Sequence, residues 1–373
     1  MKLKQDPGDF IVEEIAAHAL KPDGAYLLFL LEKRGMETFA LLRSLSAQNN
    51  VPLREFGIAG LKDKHAVTRQ YFTVPARYAF RTLHGRGFSI TRQGYVDAPI
   101  HKGDLLGNRF LVTIRDIRQS ELTALPARAA AVQRDGVPNY FDSQRFGSVI
   151  GSQFIAKHIL NKGYEQAAKI YLTACAPSEP RRVKEEKRRI LKSWHALAAI
   201  SVRERQLAAV LRAYQKTASW EQAYLLIPAE LRRMYMEAYR SYIWNECVKA
   251  LLRRAVRDLF SVKYRLGDLL FYRHIKGEEM AQLPPAFPLA GRKGEYAPQE
   301  ERIIKSVLEQ EGVQRSALPA RGGSRTTILQ PKGLVLHAPE PDELNRKRWK
   351  VSLSCELPKG GYMTVVIKRL FAG

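Results

Sequence analysis

Hydrophobic and polar residues alternate near both ends of the chain and recur with helical spacing in its middle. The nearly continuous apolar run AYLLFLLE at 25–32 predicts a strand that is buried on both faces. WKVSLSCEL at 349–357 alternates strictly, which predicts a strand with one face in a core. From about 152 to 260 the period becomes helical, and Pro228 is predicted to open a long helix. The pattern therefore predicts an α+β protein in which a helical insertion interrupts a β-rich domain.

Shorter segments add local predictions. Thr38 is predicted to cap a helix that continues through Leu45, and Ser120–Arg134 to form one helix in which Pro126 is an irregularity. YMTVVIKRLF at 362–371 is rich in Val and Ile, which fits a strand. Residues 78–99 are rich in turn formers and show no clear period.

The charge of the chain changes this picture by indicating a partner. Lysine and arginine number 61 against 37 aspartates and glutamates, which gives a formal net charge of +24. Such an excess indicates a polyanionic partner, most often a nucleic acid. The alternative is a very soluble protein with non-specific affinity for anything acidic.

Cysteine usage and the N-terminus bear on the compartment. Cys175, Cys247 and Cys355 lie far apart, with neither the spacing of a zinc site nor that of a disulfide framework. They are expected to be small buried residues in a reducing compartment. No signal-peptide core or membrane-spanning apolar run is visible. We expect a cytoplasmic protein that uses no metal and no membrane, and no obligate protein partner is evident.

The strongest candidate chemistry lies in GIAGLKDKHAVTRQYFTV at 57–74. Asp63 stands between Lys62 and Lys64, in a polar loop flanked by two strand-like runs. A carboxylate at the tip of such a unit can be held rigidly and remain reachable, and nearby ammonium groups favour its ionised form. The alternative is a solvated turn residue.

A second stretch, GVPNYFDSQRFGS at 136–148, concentrates aromatic rings and planar polar side chains. An unstacked nucleobase requires a ring to stack on and a partner for its polar edge. Asn139 and Phe141 could supply these, with Arg145 beside them. Alternatively, the rings of Tyr140, Phe141 and Phe146 simply pack in a core.

The densest basic cluster lies between 181 and 192. It is either a solvated helix face or a track for an RNA backbone, where each neutralised phosphate adds salt-sensitive affinity. The predicted backbone contacts of the whole chain are Lys33, Arg145, Arg181, Arg182, Arg188 and Arg189.

These motifs resemble those of the TruD family of RNA pseudouridine synthases over nearly the whole chain. The central run matches the family pattern GxKDxxAxTxQ at Gly60, Lys62, Asp63, Ala66, Thr68 and Gln70. The second stretch matches NYFxxQRFG, and Lys33, Gly35 and Thr38 match KxGxxTxxA. The closing segment is similar to LPxGxYATxxxRE, which begins a helix in the family, with Met363 and Arg369 as departures and Tyr362 as the aromatic residue.

The resemblance implies a fold and a division of the chain. The expected fold is α+β, a pseudouridine-synthase catalytic core with a central mixed or antiparallel sheet, interrupted by a largely helical TRUD insertion domain. We expect the catalytic domain to comprise 1–152 and 321–373, and the insertion to comprise 153–320.

The resemblance also implies roles for individual residues. Asp63 would be the catalytic carboxylate, and Lys62 or another cation would keep it ionised. Asn139 and Phe141 would recognise the target uracil, and Tyr362 would line the site. Thr68 and Gln70, predicted with the substrate-binding set, would hold the loop. The reaction needs no cofactor.

The predicted function is the isomerisation of a specific uridine, uridine 13 of tRNA, to pseudouridine. The alternatives are the same reaction on another structured RNA and a catalytically silent RNA-binding protein of this fold. A metal-dependent nuclease would require several clustered carboxylates, whereas the central loop offers one.

Overall fold

The computed structural model describes residues 1–82, 84–177, 179–320 and 322–372. The chain forms two compact units, one from Met1–Val137 with Leu329–Gly373 and the other from Pro138–Ile328. We call them unit 1 and unit 2. The chain passes from one unit to the other at 137/138 and 328/329, and the predicted domain boundaries at 152/153 and 320/321 stay a prediction. The NYFxxQRFG stretch therefore belongs to unit 2 and not to the interrupted unit.

Strands and helices follow in chain order. The strands are β1 (Phe10–Ala16), β2 (Tyr26–Arg34), β3 (Gly57–Ile58), β4 (Val67–Pro75), β5 (His84–Gly85), β6 (Phe88–Val96), β7 (Leu105–Ile117), β8 (Val137–Pro138), β9 (Leu259–Tyr264), β10 (Gly267–Tyr272), β11 (Ala286–Leu289), β12 (Gly323–Thr326), β13 (Ile328–Leu329), β14 (Lys332–Leu336), β15 (Glu340–Pro341) and β16 (Trp349–Pro358). The helices are α1 (Thr38–Asn49), α2 (Gln119–Leu122), α3 (Leu125–Asp135), α4 (Ile155–Leu160), α5 (Tyr164–Thr173), α6 (Arg181–Lys192), α7 (Arg205–Thr217), α8 (Trp220–Leu225), α9 (Ala229–Ala255), α10 (Gly277–Met280), α11 (Pro298–Gln310) and α12 (Met363–Phe371).

Unit 1 is built on a mixed sheet with the strand order β14-β16-β7-β1-β4-β2-β6-β5, to which β15 and β3 add short pairings. β1 and β4 run parallel, whereas β2–β4, β2–β6, β1–β7 and β16–β7 are antiparallel. In β4, Thr68 pairs with Lys33 of β2 on one side and with Val12 of β1 on the other. The α+β class with a mixed central sheet is confirmed.

The apolar patterns of β2 and β16 have the predicted physical causes: β2 is also buried on its second face, where Leu28 packs in a separate cluster, whereas β16 alternates. Leu27, Phe29 and Leu31 of β2 pack in a core with Leu42 and Leu45 of α1. In β16 the alternate residues Val351, Leu353, Cys355 and Leu357 are buried. A strand with one face on a core shows this period because successive side chains point to opposite faces.

Several local predictions were wrong. Glu37 occupies the N-cap position of α1, and Thr38 is the first helical residue and makes no cap bond. Residues 78–99, for which no element was predicted, contain β6. The predicted single helix at 120–134 is divided into α2 and α3, and Pro126 lies in the first turn of α3, where the missing N–H has no intrahelical partner to lose.

The closing segment is helix α12 and not the strand that its Val and Ile content suggested. Met363, Val366, Ile367 and Leu370 are buried at helical spacing. The Arg128 guanidinium on α3 donates to the Leu370 carbonyl oxygen at 3.2 Å. Tertiary packing of this face outweighs the low helix propensity of β-branched residues.

Unit 2 is largely helical. Helices α4 to α8 bury Ala167, Ile190, Val210 and Ala223 in one apolar cluster. The long helix predicted to open at Pro228 is α9, and the predicted return to strand character at 267–273 is β10, paired with β9. In the part of the chain that the structure describes, no helix is both long and apolar enough to cross a membrane.

Candidate active site

Asp63 lies in the irregular segment that joins β3 to β4, and its side chain is about one quarter exposed. The Lys4 ammonium group donates to Asp63 Oδ2 at 2.6 Å. The same ammonium group lies 4.2 Å from the centre of the Phe10 ring. Lys33 fixes the backbone at this point, because its Nζ donates to the Asp63 carbonyl oxygen at 2.9 Å and to that of Met36 at 2.8 Å. A partly exposed carboxylate is thus held by both its side chain and its backbone.

Of the two possibilities that the sequence left open, Lys62 or another cation, the structure places another cation, Lys4, beside Asp63. Lys62 forms an ion pair with Glu14 of β1 at 2.6 Å, and both side chains are nearly buried, at 10% and 2% exposed. Glu14 also accepts a hydrogen bond from the Tyr71 amide of β4 at 2.9 Å. Lys64 is exposed. Lys62 thus ties the loop to the parallel β1–β4 pair, and Lys4 takes the predicted role beside the carboxylate.

Thr68 and Gln70 are fully buried on β4. The Gln70 side chain accepts a hydrogen bond from the Thr38 hydroxyl at 3.2 Å and donates to the Gly60 carbonyl oxygen at 3.4 Å. The first bond joins β4 to the start of α1, and the second joins β4 to the loop that carries Asp63. The geometry assigns Gln70 to the support of the loop, and the predicted place of Thr68 and Gln70 in the substrate-binding set stays a prediction.

Lys33 was predicted to contact an RNA backbone, and its position contradicts this. The residue is 0% exposed, and its ammonium group is directed at the Met36 and Asp63 carbonyl oxygens. Burial lowers the pKa of Lys33 from 10.5 to about 8, with Asp63 acting in the opposite direction and Lys62 in the same direction. Lys33 is therefore a buried cation beneath the Asp63 backbone.

Tyr362 immediately precedes α12 at its N-cap position and is partly exposed. It lies in unit 1, as Asp63 does. Its predicted role in lining the site stays a prediction.

In unit 2, Asn139 and Phe141 are each 5% exposed and are held by Arg325 of β12. The Arg325 guanidinium donates to Asn139 Oδ1 at 2.6 Å, and its carbon lies 4.1 Å from the centre of the Phe141 ring. The Arg145 guanidinium carbon is 5.2 Å from the same centre. The ring of Phe141 is thus bordered by two planar cations.

The backbone of Phe141 is fixed by α9. Its amide donates to Asn245 Oδ1 at 2.9 Å, and its carbonyl oxygen accepts from Asn245 Nδ2 at 2.8 Å. Trp244 meets the Phe141 ring edge to face at 5.6 Å. The fully buried Asn245 side chain thus satisfies both backbone groups of Phe141, which holds this residue rigidly.

The predicted basic cluster occupies α6. Arg181 and Arg182 pair with Glu185 at 2.7 Å and Glu204 at 3.1 Å. Arg188 and Arg189 are exposed, and Arg189 donates to the Ser201 carbonyl oxygen. Their contact with RNA, like that of Arg145, stays a prediction. Among the described residues, no three His, Cys, Asp or Glu side chains are grouped in a way that could hold a metal ion.

Comparison with known proteins decides the family. The model of the family described as tRNA pseudouridine synthase D (TruD) matches residues 1–370. The chain belongs to the TruD family. This TruD protein is therefore placed among the tRNA pseudouridine synthases, which are isomerases.

Individual relatives agree with this placement of the TruD chain. The probable tRNA pseudouridine synthase D 2 of Methanocaldococcus jannaschii is 35% identical, and the match covers all of this chain and 92% of the relative. The tRNA pseudouridine synthase D of Aquifex aeolicus is 29% identical, with 100% and 98% covered. The solved TruD structure from Methanosarcina mazei superposes with a TM-score of 0.73 at 26% identity, over 100% of this chain and 93% of that one.

Three residues that hold candidate side chains, two in unit 1 and one in unit 2, were missed at the sequence level. Lys4 and Glu14 lie in the N-terminal segment, 59 and 48 positions before their partners, and Arg325 lies 186 positions after Asn139. Glu14 could have been suspected, because a carboxylate in an otherwise buried strand requires a partner. Nothing in the spacing of Lys4 or Arg325 indicates a role.

Proposed function

We propose that this TruD protein isomerises a specific uridine of tRNA, uridine 13, to pseudouridine, with Asp63 as the catalytic carboxylate. The observation that carries the proposal is the way Asp63 is held. It is a partly exposed carboxylate with one oxygen on the Lys4 ammonium group and its backbone on Lys33. A group that must act at one atom of a bound substrate requires such a fixed position.

The reaction breaks the N1–C1′ bond and joins C1′ to C5. The base loses a proton from C5 and gains one at N1, so atoms and electrons balance without an oxidant or a reductant. Asp63 acts either as the nucleophile at C1′ or as the base that removes a proton from the sugar. Lys4 offsets the negative charge of the carboxylate and orients Oδ2.

We assign recognition of the base to residues with planar side chains. Phe141 offers a ring face for stacking, and Asn139 offers an amide for the polar edge of the uracil. Tyr362 is proposed to enclose the base as well. Extraction of a base from its stack costs a few kcal/mol, and contacts between the phosphates and exposed arginines such as Arg182 and Arg188 offset this cost.

The test is chemical mapping of pseudouridine in tRNA from cells that lack this protein, complemented with wild type, Asp63→Asn or Asp97→Asn. Asp97 is a matched control, because it is an exposed aspartate of unit 1 paired with Lys21. We expect the mark at position 13 to return with wild type and Asp97→Asn only. In single-turnover assays, Asp63→Asn should slow the reaction by about 10³-fold or more.

Other outcomes change the proposal in defined ways. A mark that returns with Asp63→Asn would show that Asp63 is structural. A mark at another position would retain the reaction and correct the target. Unmodified tRNA with all variants, together with tight RNA binding, would favour a silent RNA-binding protein.

A further inference from the structure

We propose that Arg325 determines the choice of uracil over cytosine by fixing the orientation of the Asn139 amide. The inference rests on the proposed function, since it assumes that Asn139 meets the target base. Arg325 acts through Asn139 and is therefore a positioning residue.

The Asn139 side chain is held from two directions. Arg325 Nη2 donates to Asn139 Oδ1 at 2.6 Å, and Arg325 Nε donates to the Asn139 main-chain oxygen at 2.7 Å. On the opposite side, Asn139 Nδ2 donates to the Thr326 carbonyl oxygen at 3.0 Å. A guanidinium group can only donate and a peptide oxygen can only accept. A flipped amide would lose both bonds, so its orientation is set by the chemistry of its neighbours.

The clamp is itself rigid. The Arg325 guanidinium carbon lies 4.1 Å from the Phe141 ring centre and 5.4 Å from that of Trp244, so both aromatic side chains restrain it. The Asn139 amide nitrogen also donates to the Thr327 carbonyl oxygen at 2.9 Å, which fixes the main chain. Asn139 therefore has little freedom to adapt its amide to a different base.

The held amide retains a defined hydrogen-bonding capacity. A carboxamide oxygen can accept two hydrogen bonds and its nitrogen can donate two. Arg325 uses one acceptor site and Thr326 uses one donor, which leaves the amide one further acceptor site and one further N–H. This pair matches an edge that presents a donor next to an acceptor.

Uracil has this edge, with N3–H as donor and O4 as acceptor. Cytosine presents the reverse order, with N3 as acceptor and the N4 amino group as donor, and would require the flipped amide. A half-turn of the detached uracil about its N3–C6 axis exchanges N1 with C5 and O2 with O4. The fixed amide then meets N3–H and O2, so the same two bonds serve the base before and after it turns.

The experiment compares two tRNAs that differ at one base. The first carries the uridine identified by mapping, and the second carries cytidine at that position. The dissociation constants of both tRNAs are measured for wild type, Arg325→Met, Arg325→Lys and Arg145→Met, together with turnover of the uridine form. Arg145→Met is the matched control, because Arg145 also borders Phe141, whereas the guanidinium that donates to Asn139 Oδ1 is that of Arg325. The preference is a ratio within one preparation, so it does not depend on the folded fraction.

We expect wild type to bind the uridine form more tightly than the cytidine form. In Arg325→Met the ratio of the two dissociation constants should fall by about 10- to 100-fold, which is the range of one bidentate base contact. Arg325→Lys keeps a donor and should therefore retain part of the preference for the uridine form. Arg145→Met should weaken binding of both tRNAs by the same factor and leave the ratio unchanged.

The proposal would be overturned by an Arg325→Met protein that converts uridine and retains the wild-type preference. It would also be overturned if Arg325→Met lost the same affinity for both tRNAs, because that result would assign Arg325 to a phosphate contact. If Arg325→Met does not fold, the ratio for Arg325→Lys decides in the same way. Failure of the proposed function looks different, because wild type itself would then form no pseudouridine.

Discussion

The two groups of candidate residues hold their side chains by different physical means. In unit 1, Asp63 and Lys62 are held by ion pairs with Lys4 and Glu14, and Lys33 brings a third ammonium group to the same loop. In unit 2, by contrast, Asn139 and Phe141 are held by neutral hydrogen bonds and ring contacts, and Arg325 is the one charged residue that bonds to Asn139 among the described residues.

This difference fits two tasks. A group that changes charge or forms a bond in the reaction requires nearby charges that respond to it, whereas a group that reads a base edge requires a fixed donor and acceptor. The first arrangement depends on matched charges at low exposure, so removal of one partner is costly. The arrangement in unit 2 depends instead on the orientation of the donor and acceptor groups. The following experiments test this contrast.

The largest effect on folding is expected for Glu14→Gln. The substitution keeps an oxygen for the Tyr71 amide but leaves the Lys62 ammonium group nearly buried without its partner. We expect the free energy of unfolding to fall by about 3–5 kcal/mol, measured by urea denaturation.

The control for that experiment is Glu32→Gln, the same chemical change in an exposed pair with Arg69 at 2.7 Å. It should cost less than about 1 kcal/mol. Equal losses for the two variants would contradict the view that buried charge organises the loop of unit 1.

The next effect concerns pH and Lys33. Its pKa is about 8 in the folded protein against 10.5 for the unperturbed group, so the unfolded chain binds more protons between these values. Stability should therefore rise with pH through this window, and the gain corresponds to roughly 3 kcal/mol. The measurement is the difference in unfolding free energy between wild type and Lys33→Met from pH 8 to pH 10.5.

Lys64→Met, in the same loop but exposed, provides the comparison for Lys33. The difference in unfolding free energy between wild type and Lys64→Met should not change over the same pH range. A flat difference for Lys33→Met as well would show that Lys33 is hydrated in solution and carries an ordinary charge.

Lys4→Met should affect activity more than folding. It removes the ammonium group that orients Asp63 Oδ2, which should slow single-turnover conversion by about 10- to 100-fold. Because both side chains are about one quarter exposed, stability should change by less than about 1 kcal/mol. The control is Lys2→Met. Lys2 is an exposed lysine in the same N-terminal segment and pairs with Asp116, so its replacement should leave the rate near that of wild type. Similar rates for Lys4→Met and Lys2→Met would remove Lys4 from the site.

The smallest effect is expected on α6 of unit 2. If Arg188 and Arg189 contact phosphates, their replacement by Glu should lower the slope of log affinity against log salt by about one per arginine. Lys305→Glu reverses an exposed charge on α11 of the same unit and serves as the control. An unchanged slope in the α6 variant would mean that this helix face is only solvated.

Much of the fold could be predicted because its signals are local. The alternation in β16 reports a strand with one face in a core, and Pro228 marks the start of α9. At 362–371 the strand favoured by the Val and Ile content is wrong, and the helix implied by the family resemblance is confirmed as α12, whose buried face packs on α3. No element was predicted for residues 78–99, where β6 pairs with β2. In both places a distant partner decides the local structure.

For the candidate site, the sequence determined which residue types are present and which motifs carry them. Asp63, Asn139, Phe141 and Tyr362 were all identified by their motifs, and the family of the chain followed from the same residues. The sequence determines these candidates because each motif is a short continuous segment, and its residue types can be read without knowing which distant residues it contacts.

Only the tertiary structure decided which charges meet. Adjacency in the chain suggested that Lys62 faces Asp63, yet the parallel pairing of β1 with β4 brings Glu14 to Lys62 and leaves Lys4 for Asp63. Likewise, β12 brings Arg325 to Asn139 across 186 positions. Ion pairs and clamps of this kind act over a few ångströms, and folding sets which distant residues come that close.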